Sequence, residues 1–451
     1  MANVEELARP VSTGEEKRYR RSAELRARAH AAIPGGSHTY AKGDDQFPFL
    51  APGFIARGRG CHVWDVDGNE FIEYGMGLRA VTLGHAYPSV VAAVADALSL
   101  GTNFTRPSPL EVECAEALLA EVDNAEQVKF SKDGSTVNTA AVKLARAHTG
   151  RDLIAVCADH PFFSYNDWFF AITPMTAGIP EAVKRLTVTF RYNDLASVEK
   201  MFSDNPKQIA GVILEPTRGD EPAPGFLLGV KTLCERHGAV LIFDEMITGF
   251  RWARGGAQKL YGVKPHLSTF GKAMANGFAL SALAGDREIM KLGGLNHDKE
   301  RVFLLSTTHG AELHAMAGAI ATMHEYATQP VIETLYARGE QLRDGVRQVI
   351  DAHQLADYFR VVGRVCNLAF ATDDADRKPS QPFRTLFLQE LIRQGIIAPS
   401  FVVSYSHSRE DVQRTIEAVD AALRVYAKAL EGGVEKFLVG PSVKPVYRKF
   451  N

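Results

Sequence analysis

Two short apolar segments that each lead into a polar residue constrain the fold of this chain most strongly. Residues 241–243 are followed by Asp244, and residues 266–270 are followed by a glycine and Lys272. An apolar run that ends in an acid is typical of the carboxyl end of a buried parallel strand, where open α/β sheets place their functional groups. Small residues after Lys272 let its side chain approach a ligand closely. Taken alone, such an acid is more often a cap, and such a lysine is usually solvated.

The alternation of strand-like and helix-like segments predicts the fold class, α/β. A strand at residues 127–130, an Ala-rich helix and a strand at residues 153–156 follow one another, and the alternation continues to about residue 284. This pattern is typical of a mostly parallel sheet covered by helices on both faces. From residue 330 onward, long amphipathic helices and short strand-like pieces indicate a smaller α+β domain.

The domain boundaries follow from these changes. Residues 1–75 hold a charged leading helix and a hairpin about an Asp-Gly-Asn turn, and we predict that they belong to the small domain. Residues 76–328 are predicted to form the large domain, and residues 329–451 the C-terminal part of the small domain.

Composition excludes several classes of function. The chain has 451 residues, a formal net charge of -2 and a pI near 6.7, which argue against nucleic acid or an anionic membrane as the main partner. Its five cysteines are scattered and lack CxxC spacing, so neither a disulfide framework nor a metal site is expected. The charged N-terminus has no apolar signal core, and no window reaches the length of a membrane span. A cytoplasmic location is therefore expected.

The loop-to-helix junction at Gly134, Ser135 and Thr136 is a candidate phosphate site. Free backbone N–H groups at a helix start favour an anion, and a small hydroxyl adds a further hydrogen bond. The alternative is that Ser135 or Thr136 only caps the helix. No GxGxxG or GxxxxGK[ST] motif occurs here, so a dinucleotide or triphosphate site is not indicated.

A lysine and an acid at strand ends suit pyridoxal 5'-phosphate (PLP) as the cofactor. Lys272 would form the Schiff base, and Asp244 would hold the ring nitrogen protonated.

Several longer motifs occur in one order along the chain: VWDVDGNEFIEY, LGH at residues 83–85, DGSTVNTAAVKLARAHTGR, ILEP, LIFDEMITGFR, FGKAMANGF and STTHGAELHAMAG. In this order they resemble the class III, or glutamate-1-semialdehyde aminomutase-like, group of PLP-dependent aminotransferases. The family's acid and lysine are separated by just under thirty residues, and here the separation is 28. The resemblance implies fold type I, in which a large domain with a mostly parallel sheet joins a smaller α+β domain built from the two ends of the chain.

The resemblance also implies roles for individual residues. Lys272 becomes the Schiff-base lysine and proton shuttle, and Asp244 the partner of the pyridine nitrogen. Gly134 and Ser135 match the phosphate cradle. Thr307 matches the threonine that reaches the cofactor of the neighbouring subunit, which implies a homodimer with shared active sites.

Three further cofactor contacts are implied. Phe162 replaces the tyrosine that stacks on the pyridine ring, in a family Tyr-His-Gly motif that reads Phe162-Phe163-Ser164 here. Met246 would lie against the opposite face of the ring, unless it only fills the core. Glu215 matches a family acid near the cofactor.

The substrate site departs from the family pattern. Aminomutases carry a gating acid in a segment that corresponds to residues 398–408, and this chain has no acid there. Three arginines are candidates for binding a donor carboxylate, Arg79, Arg218 and Arg251. Aromatic and hydroxyl side chains suit a polyhydroxylated ring, which favours the branch acting on sugars and aminoglycosides. The residues expected to contact that substrate are Phe163, Tyr165, Tyr405 and His407.

We therefore predict an aminotransferase that moves an amino group from a glutamate-like donor to an aldehyde or ketone of a sugar or aminoglycoside. Three alternatives stay open. These are glutamate-1-semialdehyde 2,1-aminomutase, a PLP enzyme with another reaction such as an epimerase or decarboxylase, and a non-catalytic PLP-binding regulatory module.

Overall fold

The computed structural model describes residues 18–123 and 125–450. Within them the chain forms two compact units. The large unit comprises residues 79–82, 88–332 and 449–450, and the small unit comprises residues 18–78, 83–87 and 333–448. The chain passes from one unit to the other near residues 78 and 333, close to the predicted domain boundaries at residues 75 and 328. The assignment of domains itself stays a prediction.

The strands are, in chain order, β1 (Ile55–Arg59), β2 (His62–Asp65), β3 (Glu70–Glu73), β4 (Gln127–Ser131), β5 (Leu153–Cys157), β6 (Thr187–Phe190), β7 (Ile209–Leu214), β8 (Val240–Asp244), β9 (Leu267–Phe270), β10 (Ser281–Gly285), β11 (Phe359–Val362), β12 (Ala369–Thr372) and β13 (Ile396–Ile397).

The α-helices of eight or more residues are Arg20–Ala32, Pro88–Leu100, Pro109–Leu119, Gly134–Thr149, Leu195–Asp204, Phe226–His237, Leu313–Thr328, Val331–Ala352, Gln381–Arg393 and Arg409–Gly432. Shorter helical pieces are Asp167–Phe170, Glu181–Lys184, Ala257–Tyr261 and Arg287–Met290. Over the described part of the chain, no helix combines the length and apolar character that crossing a membrane requires.

A seven-stranded sheet with the order β4-β10-β9-β8-β7-β5-β6 forms the centre of the large unit. The pairs from β6 through β9 are parallel, whereas β10 is antiparallel to both of its neighbours. The predicted fold, a mostly parallel sheet in the large part of the chain with a smaller mixed part, is confirmed.

The inner strands are apolar along their whole length because both faces of the sheet are covered. In β8, Val240 and Ile242 belong to one buried cluster, which includes side chains of the helix Gly134–Thr149. Leu241 and Phe243 alternate with them and belong to a second cluster on the other face. Side chains of a strand alternate between faces, so a continuous apolar run is what a doubly covered strand requires.

The ends of β8 and β9 determine where the polar residues emerge. The two strands are parallel, and Asp244 pairs in register with Thr269. Lys272 follows β9 after a single residue, so both polar side chains leave the sheet at its carboxyl edge. This is the edge at which open α/β sheets hold ligands.

The small unit contains a four-stranded sheet with the order β1-β2-β3-β13 and a hairpin of β11 and β12. The antiparallel pair β2–β3 is the predicted hairpin. Its turn is held by Asp65, whose Oδ1 accepts hydrogen bonds from the backbone N–H groups of Asp67 and Asn69 at 3.0 and 2.8 Å.

A partly buried polar network in the small unit links β2 to the last long helix. His62 Nε2 lies 3.0 Å from Asp411 Oδ1, and His62 Nδ1 lies 2.8 Å from Glu70 Oε1. A ring that faces two carboxylates donates to both only when it is protonated. The hydrogen bond to Asp411 raises the pKa of His62. Although burial acts in the opposite direction, hydrogen bonds from His62 and Ser408 lower the pKa of Asp411.

We expect His62→Gln to destabilise the protein more at pH 5.5 than at pH 9. The folded pKa of His62 lies above its unfolded value, so its contribution to stability is complete below the unfolded value and is lost as the pH rises through the folded one. The lowered pKa of Asp411 keeps its carboxylate charged at pH 5.5. The difference should be about 1 kcal/mol in denaturant titrations. His38→Gln, at an exposed position of the same unit, is the control. An equal cost of His62→Gln at both pH values would contradict this role.

Candidate active site

One cavity of about 290 Å³ in the large unit brings together the residues that were assigned to the cofactor. Both predicted catalytic residues, Asp244 and Lys272, line it. The other predicted cofactor contacts along its wall are Gly134, Ser135, Phe162, Glu215 and Met246. Thr307 does not line this cavity. The site assignments themselves stay predictions, but the fold places seven of the eight proposed cofactor contacts around one space.

Asp244 is a buried carboxylate with a hydrogen bond to each oxygen. Its Oδ1 accepts from the backbone N–H of Met246 at 2.8 Å, and its Oδ2 accepts from the side-chain Nδ2 of Asn138 at 2.8 Å. Burial raises the pKa of Asp244, the charge of Glu215 raises it further, and Lys272 opposes both. A carboxylate oriented in this way is suited to accept a hydrogen bond from a protonated ring nitrogen.

Lys272 is the first residue of a short 3-10 turn after β9 and has a left-handed backbone, with φ 46°. The preceding Gly271 has no room for a side chain, because a Cβ there would lie 2.8 Å from both Met246 Sδ and Ser281 Oγ. Burial lowers the pKa of Lys272, although the carboxylates of Asp244 and Glu215 act in the opposite direction. A lowered pKa favours the uncharged amine, which is the nucleophilic form.

The start of the helix Gly134–Thr149 forms one wall of the cavity. The N-cap is Asp133, whose side chain accepts from the N–H of Thr136 at 2.9 Å, so neither Ser135 nor Thr136 serves as the cap. A Cβ at Gly134 would lie 3.0 Å from Met246 Sδ, so glycine keeps this wall open. Ser135 Oγ accepts from the N–H of Tyr165 at 3.1 Å, which leaves its own hydroxyl hydrogen available to an anion.

Asn138 is a site residue that the sequence analysis missed. Besides Asp244, its Nδ2 donates to the carbonyl of Phe163 at 2.7 Å, and its Oδ1 accepts from Thr269 Oγ1 at 2.6 Å. Asn138 is fully buried and lines the cavity. The signal that could have found it is its position four residues after Gly134, which places both on one helix face.

We expect Asn138→Ala to lower kcat/KM by roughly 10-fold or more, because the carboxylate of Asp244 loses a hydrogen bond that stabilises its charged form. The acidic limb of the pH–rate profile should move to higher pH, since the pKa of Asp244 rises further when this donor is removed. Thr269→Val is the matched control, because it removes a bond to Asn138 but none to Asp244. A profile that moves equally in both variants would reduce Asn138 to a packing role.

Lys132 also lines the cavity and was not singled out from the sequence. Its Nζ forms an ion pair with Glu312, and His309 Nδ1 lies 3.2 Å from the same carboxylate. Burial lowers the pKa of Lys132. The ion pair between Lys132 and Glu312 connects the loop before Gly134 with the segment that follows Thr307.

A group of arginines accompanies Glu215. Arg218 Nη1 donates to Glu215 Oε1 at 2.6 Å, and both Arg218 and Arg79 act electrostatically on Lys272. Arg251 is fully buried and donates from Nη2 to the carbonyl of Arg79 at 2.8 Å and to Thr82 Oγ1 at 2.7 Å. Of the three candidate arginines, Arg251 therefore binds the backbone carbonyl of Arg79, whereas the charges of Arg79 and Arg218 act on Lys272.

The residues predicted to contact the substrate are placed in different surroundings. Phe163 lines the cavity but is buried, with its ring 5.6 Å from that of Phe169, whereas Tyr165 is exposed. Tyr405 and His407 belong to the small unit. His407 is buried with its ring 4.4 Å from that of Tyr74, and burial lowers its pKa to about 3. Their roles toward a substrate stay predictions.

Thr307 lines a second cavity of the large unit, of about 640 Å³. Other residues of this cavity are Phe104, Arg106, Lys129, Thr308 and Gly310.

The residues around the first cavity fit PLP. They provide an oriented carboxylate, a lysine with a lowered pKa, and a helix start kept open by Gly134. Phe162 is 41% exposed and offers an aromatic face on which the ring of a ligand can stack. Glu215 Oε2 is buried without a hydrogen-bond partner among the described residues. A buried acceptor of this kind is satisfied when a ligand brings a donor.

Comparisons with known proteins agree with this fit. The family model "Aminotransferase class-III" matches residues 39–423. The chain is 34% identical to the glutamate-1-semialdehyde 2,1-aminomutase of Desulforamulus reducens, over 91% of this chain and 99% of that protein.

Solved structures give the same picture. The PLP form of the FumI protein of Sphingopyxis sp. MTA144 has 29% identity and a TM-score of 0.84, and the match covers 92% of this chain and 98% of that one. A transaminase with PLP bound has 27% identity and a TM-score of 0.83, with coverage of 92% and 99%.

These matches run nearly from end to end, and they confirm the resemblance, the enzyme class and the cofactor that the sequence motifs predicted. This chain is therefore a member of the class III aminotransferase family, whose enzymes depend on pyridoxal 5'-phosphate.

Proposed function

We propose that this enzyme transfers an amino group between two molecules, from an amino acid donor to an aldehyde or ketone acceptor. The observation that carries the proposal is the placement of Lys272 and Asp244 around one cavity, each with a perturbed pKa. When bound, PLP supplies an electron sink for the C–H bond next to the donor's amine.

Lys272 then acts as the base and the acid. Its Nζ would take the proton from the substrate carbon and return it to another carbon of the same reacting molecule, because the lowered pKa favours the uncharged amine that accepts protons. Asp244 would hold the ring nitrogen in its protonated form, and Asn138 and Met246 orient that carboxylate. Phe162 provides an aromatic face and helps to exclude water.

A second candidate is glutamate-1-semialdehyde 2,1-aminomutase. It is favoured by the name and the 34% identity of the Desulforamulus reducens relative. Against it stands the absence of an acid from residues 398–408, where aminomutases are expected to have one. We therefore rank transfer between two molecules first.

The acceptor predicted from the sequence, a sugar or aminoglycoside, has weaker support than transfer itself. None of the relatives named above carries such a substrate in its name. Residues 160–170 are rich in aromatic side chains, which suggested a sugar pocket, but Phe163, Trp168 and Phe169 among them are buried in the core. Sugar aldehydes belong in the acceptor panel as one class among several.

The experiment that tests the proposal follows half-reactions of the holoenzyme by absorbance. Glutamate, alanine and simple amines are supplied without acceptor, and transfer is expected to convert the cofactor to its amine form. 2-Oxo acids, aliphatic aldehydes, sugar aldehydes and oxidised aminoglycosides are then tested for reversal. Isomerisation of glutamate-1-semialdehyde, in which the amino group moves from C2 to C1 without a separate donor or acceptor, would instead select the aminomutase. Racemisation or CO₂ release without the amine form would select another PLP reaction.

We further propose a homodimer in which Thr307 of each subunit contacts the cofactor held by the other. The support is that Thr307 lies outside the cavity of its own Lys272, on a separate cavity that includes the exposed Phe104.

We expect Thr307→Ala to weaken PLP binding about 10-fold, because a hydroxyl donor to a charged phosphate is lost. The dissociation constant is measured by fluorescence titration, and the particle mass by light scattering. Thr308→Ala is the neighbouring control. Unchanged PLP affinity in a dimeric Thr307→Ala variant would contradict the contact across the interface.

A further inference from the structure

The hydroxyl of Ser164 is fully buried and lies at the centre of a hydrogen-bond network. Its Oγ lies 3.2 Å from the carbonyl oxygen of Ser135, a residue of the first cavity, and 3.1 Å from Thr139 Oγ1. It also accepts from the backbone N–H and the side-chain Nδ2 of Asn166, at 3.1 and 3.0 Å. The network therefore connects residues 164–166 with the helix Gly134–Thr149.

The direction of the Ser164 hydroxyl follows from its neighbours. Thr139 Oγ1 accepts from Asn166 Nδ2 at 2.8 Å and from Trp168 Nε1 at 2.9 Å. Since these two bonds use both acceptor sites of Thr139, its own hydrogen points to Ser164 Oγ. The hydrogen of Ser164 then goes to the carbonyl of Ser135. Ser164 thus makes a bond to the helix start that a glycine or an alanine at this position could not make.

We propose that Ser164 is a positioning residue for the cofactor ring. Its hydroxyl fastens the loop of residues 162–166, called the Phe162 loop below, to the helix start at Ser135. This bond holds the aromatic face of Phe162 where it meets the ring of the cofactor. The inference rests on the proposed function, in which Phe162 provides that face, and it adds a residue that acts through Phe162 without touching the cofactor.

Phe162 needs such a restraint because packing covers only part of its side chain. The rings of Phe169 and Phe170 lie 6.0 and 6.3 Å from its ring, at angles of 75° and 73°, and 41% of Phe162 is exposed. Partial burial leaves a side chain more rotamer freedom than a position in the core does. A fixed backbone limits the positions from which the ring can start, which prepares it for the ligand before binding.

Two further hydrogen bonds hold the Phe162 loop to the same helix. The carbonyl of Phe163 accepts from Asn138 Nδ2 at 2.7 Å, and the N–H of Tyr165 donates to Ser135 Oγ at 3.1 Å. Asn138 and Ser135 both line the cavity. Because the bond of Ser164 lies between these two along the loop, it completes a continuous attachment of the loop to the cavity wall.

A purely structural role is the rival explanation, in which Ser164 only stabilises the fold. Ser164→Ala removes the hydroxyl, and Ser164→Cys keeps a side chain of similar shape with a weaker donor. Ser268→Ala is the matched control, because Ser268 is a buried serine of the same unit whose Oγ lies 3.2 Å from Gln258 Oε1.

The first measurement is the dissociation constant of PLP, by fluorescence titration of the apoenzyme. We expect it to rise about 10-fold in Ser164→Ala, by a smaller factor in Ser164→Cys, and by no more than about 2-fold in Ser268→Ala.

A double-mutant cycle with Phe162→Leu shows whether Ser164 acts through Phe162. Where two residues act on a ligand through one contact, the second substitution adds little to the effect of the first. Ser164→Ala should therefore weaken PLP binding about 10-fold in the wild type, but by no more than about 2-fold in Phe162→Leu.

Inorganic phosphate is the second probe, because it has no ring. Its affinity for the apoenzyme, measured by thermal shift, should stay within about 2-fold of the wild type in Ser164→Ala. The visible circular dichroism of bound PLP, which reports the asymmetric surroundings of its ring, should fall in the same variant. A general loss of structure would weaken phosphate binding as well.

Unchanged PLP affinity in Ser164→Ala would overturn the proposal. An equal loss in the wild-type and Phe162→Leu backgrounds, or an equal loss for PLP and inorganic phosphate, would assign Ser164 the structural role instead. If Ser164→Ala does not fold, the same comparisons are made with Ser164→Cys. Failure of the proposed function is a different result, because it appears as a wild-type enzyme that binds PLP but transfers no amine from any donor.

Discussion

Lys272→Ala is expected to abolish amino transfer, with a fall in kcat of about 10⁴-fold or more. The substitution removes both the amine that binds the cofactor covalently and the base that moves the proton. The variant should remain folded, because the side chain lines a cavity and does not fill the core. The measurement is a single-turnover half-reaction with glutamate, followed by absorbance.

Two further experiments test the same role of Lys272. Borohydride reduction of the wild-type holoenzyme should attach the cofactor to a peptide that contains Lys272, and small exogenous amines should restore part of the activity of Lys272→Ala. Lys259→Ala is the control, since Lys259 is a largely exposed lysine of the same unit, 3.7 Å from Asp123. Activity of Lys272→Ala within 10-fold of the wild type would exclude Lys272 as the proton carrier.

Asp244→Asn is expected to lower kcat by on the order of 10²- to 10³-fold, because an amide cannot keep the ring nitrogen charged. The absorbance maximum of the bound cofactor should change as well, since the protonation of its ring changes. PLP affinity, spectrum and kcat are measured on the same preparations. A variant with a wild-type spectrum and kcat would show that the ring nitrogen is held elsewhere.

The same substitution has a pH-dependent effect on the stability of the protein without cofactor. The folded pKa of Asp244 lies above its unfolded value, so the folded protein keeps a proton that the unfolded chain has lost. Stability relative to the Asn variant therefore falls as the pH rises through the folded pKa. Asn loses a hydrogen bond at every pH, because Met246 and Asn138 both donate to this side chain. We expect the difference to move by about 1 kcal/mol in favour of Asn between pH 4.5 and pH 7.5.

The sheet and the two principal residues could be predicted from the sequence because the signals are local. A run such as residues 240–243 is apolar on both faces, and the acid that ends it emerges at the strand end. Residues 267–270 form a second buried strand that leads through Gly271 to Lys272, although Ser268 and Thr269 in it are polar. Each signal is contained in a few neighbouring residues, and the family motifs then supplied the cofactor.

The hydrogen bond between Asn138 and Asp244 could not be predicted in the same way. The two residues are 106 positions apart, and helical periodicity predicts only which face Asn138 occupies. Its contact with Asp244 depends on how the helix Gly134–Thr149 packs on β8 and β9.

Two features went against local expectation. Nothing in the residue types of Met76, Leu78 and Arg79 indicates a left-handed turn, because each disfavours that conformation by about 1 to 2 kcal/mol. A tertiary hydrogen bond from Arg251 reaches the carbonyl of Arg79, the last residue of this turn. Similarly, residue type alone does not show that Phe163 and His407 are buried, although Phe163 also lines the first cavity.

The sequence by itself thus determined the class of fold, the family, the cofactor, and the acid and lysine at the edge of the central sheet. Those conclusions depend on periodicity and on motifs, which are properties of neighbouring residues. Only the tertiary structure decided that Asn138 orients Asp244 and that Arg251 donates a hydrogen bond to the backbone carbonyl of Arg79. The physical reason is that hydrogen bonds, burial and electrostatic coupling between distant residues exist only after the helices have packed on the sheet.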